Sequence, residues 1–243
     1  MSFFVDLSSN VQALPGCKNT VANFTTKLRS KLDFASDYEV AIVSVSYPKS
    51  WYNIEDEKIS FANGVHKPLK LSNGYYYSAR EIVDMINSSL KISANYDVPK
   101  FFYDSKTHVT TRTFSSSDKP QLGPILSKRV RKLIGYYDHT VFSKVECSDI
   151  HVGYRSIFVY SNIVNYSYVG DSLSQLLRVI DVPPQAEFGE QITINFSNLQ
   201  YRPLFHRAID QIEIVFKSDT DDIIPFQIGR SYLTLHFRPV QNE

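Results

Sequence analysis

The segment from residue 191 to residue 238 decides the fold, because polar and apolar residues alternate through three separate runs within it. The runs are Gln191-Ile-Thr-Ile-Asn-Phe-Ser197, Gln211-Ile-Glu-Ile-Val-Phe-Lys217 and Tyr232-Leu-Thr-Leu-His-Phe-Arg238. A period of two residues places successive side chains on opposite faces of an extended strand. Each run therefore predicts an antiparallel strand with one buried face and one wetter face.

The same period continues, less regularly, through the rest of the chain. We expect further strands at Phe3–Leu7, Asn23–Leu28, Glu39–Tyr47, Lys58–Ala62, Leu69–Tyr77, Phe101–Tyr103, His108–Phe114, Ser156–Val164 and Leu176–Val182. Asp104-Ser-Lys-Thr107 has the composition of a hairpin turn. Many short strands without a repeated strand-then-helix rhythm favour an all-β sandwich or barrel over a parallel α/β fold.

Two segments carry helical signals instead. Ser78-Ala-Arg-Glu81 is a capping box, and the residues behind it place an apolar stripe on one helical face. The stripe consists of Ile82, Val83, Ile86 and Leu90. A second, short helix is predicted at Ile125–Ile134, with Ser127 as its N-cap and Gly135 as its stop.

The sequence predicts one domain over residues 1–243, with an N-terminal arm and first strand in residues 1–21. No composition shift, low-complexity run or internal repeat marks a linker. A length of 243 residues suits a single all-β domain.

Composition excludes several functional classes. The chain has 26 basic and 25 acidic residues and a net charge of +1, so strong global attraction to nucleic acid or an anionic membrane is not expected. No apolar run reaches the roughly 18 residues of a membrane span. The first ten residues lack the basic start and apolar stretch of a signal peptide, so we expect no secretion by that route. Cys17 and Cys147 are too few for a disulfide framework.

The search for catalytic motifs in the sequence is negative. Gly-x-Ser-x-Gly, a Walker loop and Gly-x-Gly-x-x-Gly are absent, and no two histidines have the i, i+2 or i, i+4 spacing of a metal pair. Asp219, Asp221 and Asp222 resemble half of a calcium loop, but its glycine and distal glutamate are missing. We therefore expect no catalytic residue, metal or cofactor, and a solvated turn at the three aspartates.

Lys128-Arg-Val-Arg-Lys132 is the one dense basic run, and it permits two interpretations. Lys128, Arg129, Arg131 and Lys132 could form a nucleic-acid or nuclear-import patch. The favoured interpretation is an ordinary solvated helical face beside buried apolar residues, because no aromatic residues interleave with the charges.

Several motifs occur in an order that resembles a known family. They are Val43-Ser-Val-Ser-Tyr-Pro-Lys-Ser-Trp-Tyr-Asn53, Leu71-Ser-Asn-Gly-Tyr-Tyr-Tyr77, Leu133-Ile-Gly-Tyr136, Phe158-Val-Tyr-Ser-Asn-Ile-Val164, Val169-Gly-Asp171, Leu176-Leu-Arg178, Ile224-Pro-Phe-Gln-Ile-Gly229 and Leu233-Thr-Leu-His-Phe-Arg238. This order resembles the minor capsid, or penton, protein of Maverick/Polinton elements and adintoviruses, from about Phe3 to Arg238.

The resemblance implies a single jelly-roll β-sandwich with two short helices in connecting loops. It further implies a non-enzymatic virion protein that forms homopentamers at the five-fold vertices of an icosahedral capsid. Its other partner would be a double jelly-roll major capsid protein, with no membrane contact. An alternative from the residues alone stays open: a cytosolic β-sandwich ligand-binding module or a jelly-roll glycan hydrolase.

Structural roles are expected at seven positions within these motifs: Pro48, Trp51, Gly170, Asp171, Arg178, Pro225 and Gly229. Proline and tryptophan would end the long strand and anchor its exit in the core, and Gly170-Asp171 would form a turn between Val164 and Leu176. Pro225 and Gly229 would shape the return into the final strand, or Gly229 would form a bulge. Candidate subunit contacts are Trp51, Arg202, His206 and Arg207.

Overall fold

The computed structural model describes residues 1–11, 18–61, 67–93, 100–113, 124–136, 147–151 and 154–240. The chain divides into two compact units: Met1–Trp51 with Gly153–Glu243, and Tyr52–Val152. That the chain is one domain over residues 1–243 stays a prediction.

Sixteen strands and two helices occur in the described residues, and their bounds follow in chain order. They are β1 (Phe3–Ser8), β2 (Asn23–Asp33), β3 (Tyr38–Pro48), β4 (Lys58–Phe61), β5 (Leu69–Lys70), α1 (Ala79–Ser93), β6 (Lys100–Asp104), β7 (Val109–Thr113), β8 (Pro124–Ile125), α2 (Lys128–Ile134), β9 (Ser156–Ser161), β10 (Ser167–Val169), β11 (Ser172–Ser174), β12 (Leu176–Asp181), β13 (Gln191–Asn195), β14 (Arg202–Pro203), β15 (Ala208–Lys217) and β16 (Tyr232–Pro239).

The first unit contains two antiparallel sheets. One has the order β1-β16-β3-β13, with β14 also paired to β3, and the other has the order β12-β9-β15-β2. Along the chain, the eight main strands alternate between the two sheets except at the step from β9 to β12. This is the strand order of a single jelly roll, so the predicted fold class is confirmed.

The alternating runs form the inner faces of these sheets, as predicted. Ile212, Ile214 and Phe216 of β15 are buried, as are Leu233, Leu235 and Phe237 of β16, and all six belong to one hydrophobic core. The polar residues between them are more exposed. The period of two places each apolar set on one face of its strand, and because β15 and β16 lie in different sheets, the shared core lies between the two sheets.

The second unit has a hydrophobic core of its own, to which both helices contribute. Ile82, Ile86 and Leu90 of α1 are buried with Val130 and Leu133 of α2. The helices are therefore parts of a small α/β unit, rather than isolated turns in the loops of the jelly roll. β6 and β7 form the predicted hairpin across Asp104–Thr107.

Capping follows the sequence closely. The amide of Glu81 donates to Ser78 Oγ at 3.2 Å, while Glu81 Oε2 accepts from the amide of Tyr77 at 3.0 Å, one residue earlier than a capping box requires. In α2 the amide of Val130 donates to Ser127 Oγ at 3.1 Å, and Gly135 ends the helix with a φ of 63°.

Several predicted elements are wrong in extent: the strand predicted at Asn23–Leu28 continues to Asp33, and the one predicted at Ser156–Val164 ends at Ser161. The Leu69–Tyr77 strand covers only Leu69–Lys70, because the backbone of Tyr76 bonds to the side-chain amide of Asn53 instead of a neighbouring strand. The helix expected from Ile125 begins at Lys128, since Pro124–Ile125 pairs with β4. Ala62 and Phe114, the last residues of two predicted strands, lie outside the described residues.

Candidate assembly surfaces

Histidines and carboxylates of the described residues make local structural contacts. In those parts of the chain no group of three or more His, Cys, Asp and Glu side chains is placed to hold a metal ion. His236 Nδ1 bonds to the hydroxyl of Tyr201 at 2.7 Å, and His108 Nδ1 bonds to the hydroxyl of Tyr103 at 2.8 Å. At the aspartate-rich turn, Asp221 Oδ1 accepts from Lys217 Nζ at 2.8 Å.

Pro48 and Gly229 meet where β3 ends. A Cβ on Gly229 would lie 2.7 Å from both Cβ and Cγ of Pro48, and its φ is 96°. Both the contact and the backbone conformation therefore require glycine. The Ser50 hydroxyl donates to the carbonyl of Ile228 at 2.7 Å, which fixes the loop before β16 against the end of β3. Within this loop the carbonyl of Pro225 accepts from the side-chain amide of Gln227 at 3.1 Å.

Lys49 is a buried lysine that the sequence reasoning missed. Lys49 is only 1% exposed, and its Nζ donates a hydrogen bond to the carbonyl of Ala186 at 2.6 Å. Burial lowers the pKa of this ammonium group, while the carboxylate of Glu190 opposes that effect. A signal was present, since Val45 and Tyr47 are buried and the same two-residue period continues to Lys49.

Trp51 is a core residue, which corrects its assignment as an interface candidate. It is 2% exposed, and its ring packs against Tyr154 at a centroid distance of 5.5 Å and against Phe226 at 5.7 Å. The side chain leaves no surface for a neighbouring subunit. Pro48 and Trp51 lie where a strand end and its core anchor were expected.

Gly170 and Asp171 form the two-residue turn between β10 and β11. Gly170 has a φ of 64°, which suits the first position of such a turn. Tyr168 and Leu173 face each other across the hairpin and are 77% and 57% exposed. The hairpin therefore presents a large apolar pair to solvent.

Arg178 connects the two sheets at one side of the sandwich. Its guanidinium lies over the ring of Phe196 with the carbon 3.6 Å from the centroid, and Nη1 donates to the carbonyl of Asn198 at 3.1 Å. Arg178 belongs to β12, whereas Phe196 directly follows β13 in the other sheet. Burial lowers the pKa of this guanidinium.

Two of the arginine and histidine candidates lie at one pocket of the first unit, which has a volume of about 420 Å³. Its lining includes His206 and Arg207, and it does not include Arg202. Arg207 donates from Nε at 3.0 Å and from Nη2 at 2.7 Å to Asp37 Oδ1. Arg202 lies on β14, where it pairs with Val40 of β3.

The basic run of α2 is only partly solvated. Lys128 is exposed, whereas Arg129, Arg131 and Lys132 are half-buried. Arg129 Nε donates to the carbonyl of Asn53 at 3.3 Å within the second unit. Of the four basic residues, only Lys128 has the exposed side chain expected of an ordinary solvated face. Arg129 instead donates a hydrogen bond within the second unit.

Comparison with known proteins finds a structural likeness. No protein-family model matches the chain, and no curated protein matches its sequence. The structure is similar to a crystal structure of the mavirus penton protein, with a TM-score of 0.53 and 12% sequence identity. The likeness covers 99% of this chain and 100% of the mavirus protein.

At this identity the comparison shows a shared fold. Because the likeness extends over nearly the whole chain, it covers the segments of both compact units and is not confined to the jelly roll. In the described residues no helix is long and apolar enough to cross a membrane.

Proposed function

We propose that this chain is a structural, non-enzymatic subunit of a viral capsid. Its place would be the penton, where homopentamers close the five-fold vertices of an icosahedral shell. The observation that carries the proposal is the end-to-end likeness to the mavirus penton protein. A jelly roll by itself is shared by lectins and cupins, so coverage of the second unit adds weight that the sandwich alone would lack.

The physical properties of the chain agree with this role. A rigid sandwich offers different side surfaces to its two neighbours, which is the requirement for a heterologous ring that closes. A net charge of +1 keeps repulsion among five copies small.

The proposal includes a second partner and a location. A double jelly-roll major capsid protein would surround each pentamer, and the mature location would be the virion. Membership of the Maverick/Polinton and adintovirus group is supported by the motif order between Val43 and Arg238.

Light scattering and negative-stain imaging of the purified protein test the proposal. We expect a mass of five subunits of 27.9 kDa and five-fold rings, and incorporation into shells on co-expression with the major capsid protein. A protein that stays monomeric, both alone and beside the shell protein, would refute it.

A further inference from the structure

The two sheets of the first unit end in four edge strands, and they protect these edges differently. β2 and β12 end one sheet, and each carries charged side chains and a break in its register. The charges are Lys27, Arg29 and Lys31 in β2, and Arg178 and Asp181 in β12. Charge and bulges are the means by which natural edge strands avoid pairing with another chain.

β1 and β13 end the other sheet, and they lack most of this protection. Both pair with their neighbour in an unbroken register, and neither contains proline. β13 has no charged residue. The one charge of β1, the Asp6 carboxylate, accepts from Thr234 Oγ1 of the adjacent strand at 2.7 Å. An edge with an unbroken register and little charge is suited to accept a further strand.

The phase of the hydrogen bonds shows which backbone groups of β1 are open. The amide of Ser9 donates to the carbonyl of Ser231 at 2.9 Å, so the odd-numbered residues of β1 bond to β16. The amides of Phe4, Asp6 and Ser8 therefore point away from the sheet. Among the described residues, no backbone partner meets these amides or the carbonyls of Phe4 and Asp6.

β13 is open in the same way. The amide of Phe196 donates to the carbonyl of Val43 at 2.8 Å, so the even-numbered residues of β13 bond to β3. Gln191, Thr193 and Asn195 therefore direct their amides and carbonyls outward, where no described residue supplies a backbone partner. Each edge thus presents alternate residues at the spacing that another strand requires.

The two open edges lie at opposite ends of their sheet and beside opposite charges. β1 contacts β2, which carries the exposed side chains of Lys27 and Arg29. Lys31 of β2 forms an ion pair with Asp33 at 3.3 Å, whereas no ion pair of Lys27 or Arg29 occurs in the described residues. The segment 181–190, which leads from β12 into β13, has no basic residue and three exposed carboxylates. These are Asp181, Glu187 and Glu190.

We propose that β1 of one copy pairs with β13 of the next copy, so that this sheet continues from subunit to subunit. Lys27 and Arg29 of one copy then face Asp181 and Glu187 of its neighbour. An open backbone edge requires another strand, and this chain carries two such edges with complementary charge beside them, so the occupant is a second copy. The two edges are different surfaces, which makes the contact heterologous, as a closed ring requires. The inference rests on the proposed function and names the strands by which the subunits meet.

Thr193 allows the strand pairing to be tested with a matched control. Thr193→Pro removes an outward amide, a change that an edge strand tolerates, whereas Thr193→Val keeps that amide. Both variants lose the hydroxyl that bonds to Ser46 Oγ at 3.0 Å. We expect the dissociation constant of the pentamer, measured by native mass spectrometry, to be at least about tenfold higher for Thr193→Pro than for Thr193→Val. Equal dissociation constants would overturn the pairing.

Hydrogen exchange of the parent protein tests the same pairing without a substitution. The amides of Phe4, Asp6, Thr193 and Asn195 should exchange at least about tenfold more slowly in the pentamer than in the protein diluted below its dissociation constant. Equal exchange rates in the two states would overturn this inference and leave the pentamer and the proposed function intact.

Charge reversal tests the contacts that flank the strands. Lys27→Glu combined with Arg29→Glu places like charges together and should raise the dissociation constant at least about tenfold. Adding Asp181→Lys and Glu187→Lys restores opposite charges and should recover most of the affinity. A fourfold variant that binds no more tightly than the twofold variant would overturn the facing charges.

Lys67→Glu combined with Lys91→Glu is the control for net charge. Both lysines are exposed in the second unit, and the change in net charge equals that of the reversed β2 variant. We expect the dissociation constant of this control to equal that of the parent protein. An equal weakening in the control would show that overall repulsion is the cause, and would overturn the ionic contacts.

Failure of the proposed function has a different signature. A parent protein that is monomeric, both alone and beside the shell protein, would refute the capsid role, and this inference with it. Parent pentamers with unprotected β1 and β13 amides would refute only the strand pairing.

Discussion

Substitution of Gly229 by alanine perturbs the contact that joins the loop before β16 to the end of β3. The added Cβ would lie 2.7 Å from two carbons of Pro48, and the φ of 96° disfavours any side chain. Backbone strain of this kind costs about 1–3 kcal/mol, and overpacking a close contact costs about 1–3 kcal/mol more. We expect the free energy of unfolding to fall by about 2–6 kcal/mol.

Gly170→Ala is the matched control. Gly170 also has a positive φ, 64°, but a Cβ there meets nothing within 4 Å, so strain acts without overpacking. Its expected cost is about 1–2 kcal/mol, which is the cost of a residue with a Cβ at such a φ. The difference between the two variants isolates the approach of Gly229 to Pro48.

Urea unfolding followed by the fluorescence of Trp51 is the assay. Trp51 is the single tryptophan of the chain and is buried in the first unit, so its signal reports on the unit that contains Gly229. An unchanged slope with a lower midpoint would indicate a change in stability alone. Equal losses for Gly229→Ala and Gly170→Ala would refute the close contact as a source of stability.

The remaining predictions concern buried or partly buried cations. Because burial lowers the pKa of Lys49, the folded state releases this proton at lower pH than the unfolded state, so the stability of the first unit should rise with pH between the folded pKa and about pH 10. Lys49→Met should flatten that rise in urea midpoints measured at successive pH values, and a rise that persists would contradict the assignment. Arg178→Ala should cost about 1–2 kcal/mol from the lost stacking on Phe196 and the bond to Asn198, with exposed Arg230→Ala as a near-neutral control in the same titration. In the second unit, Arg129→Gln should lower the melting temperature while Lys128→Gln leaves it unchanged, since only Arg129 donates to Asn53; equal melting curves would show that this bond contributes nothing.

The regular strands could be predicted because their signal is local. In β13, β15 and β16 successive side chains point to opposite faces, so the polar or apolar character of each residue predicts its face without reference to the partner strand. Helix ends were also local, since Ser78, Ser127 and Gly135 act on amides or on a φ within a few residues. The jelly-roll order itself came from the resemblance, because periodicity does not say which strands pair.

Tertiary contacts account for the wrong boundaries. Tyr76 does not continue the predicted strand, because the side chain of Asn53, 23 positions earlier, forms hydrogen bonds with its backbone amide and carbonyl. Pro124 and Ile125 form a strand, and Ile125 is not part of the predicted helix, because both residues pair with β4, more than 60 positions away in sequence. Neither partner can be identified from the local pattern that produced the prediction.

The division into two compact units also depends on tertiary contacts. A domain boundary is visible in sequence when a whole linker has a distinct composition, but here Pro48, the charged residues Glu55–Lys58 and Gly153 are scattered around the two crossings and do not form one linker run. The separation becomes evident only when the buried residues are grouped by contact, because Trp51 joins the core of the first unit and Ile54 that of the second.

The period of two does not predict whether an aromatic residue on a strand is buried or exposed. Tyr47 and Tyr168 are both tyrosines in strands with alternating neighbours, yet Tyr47 is fully buried and Tyr168 is 77% exposed. The difference is that β3 is paired on both sides within a packed sheet, whereas β10 pairs only with β11. An aromatic residue on a two-stranded ribbon has no second sheet to cover it, so its apolar face must be covered from outside the chain or stay in water. The sequence pattern predicts no strand at Tyr168, and whether a strand has a covering layer is a property of topology that the local pattern does not contain.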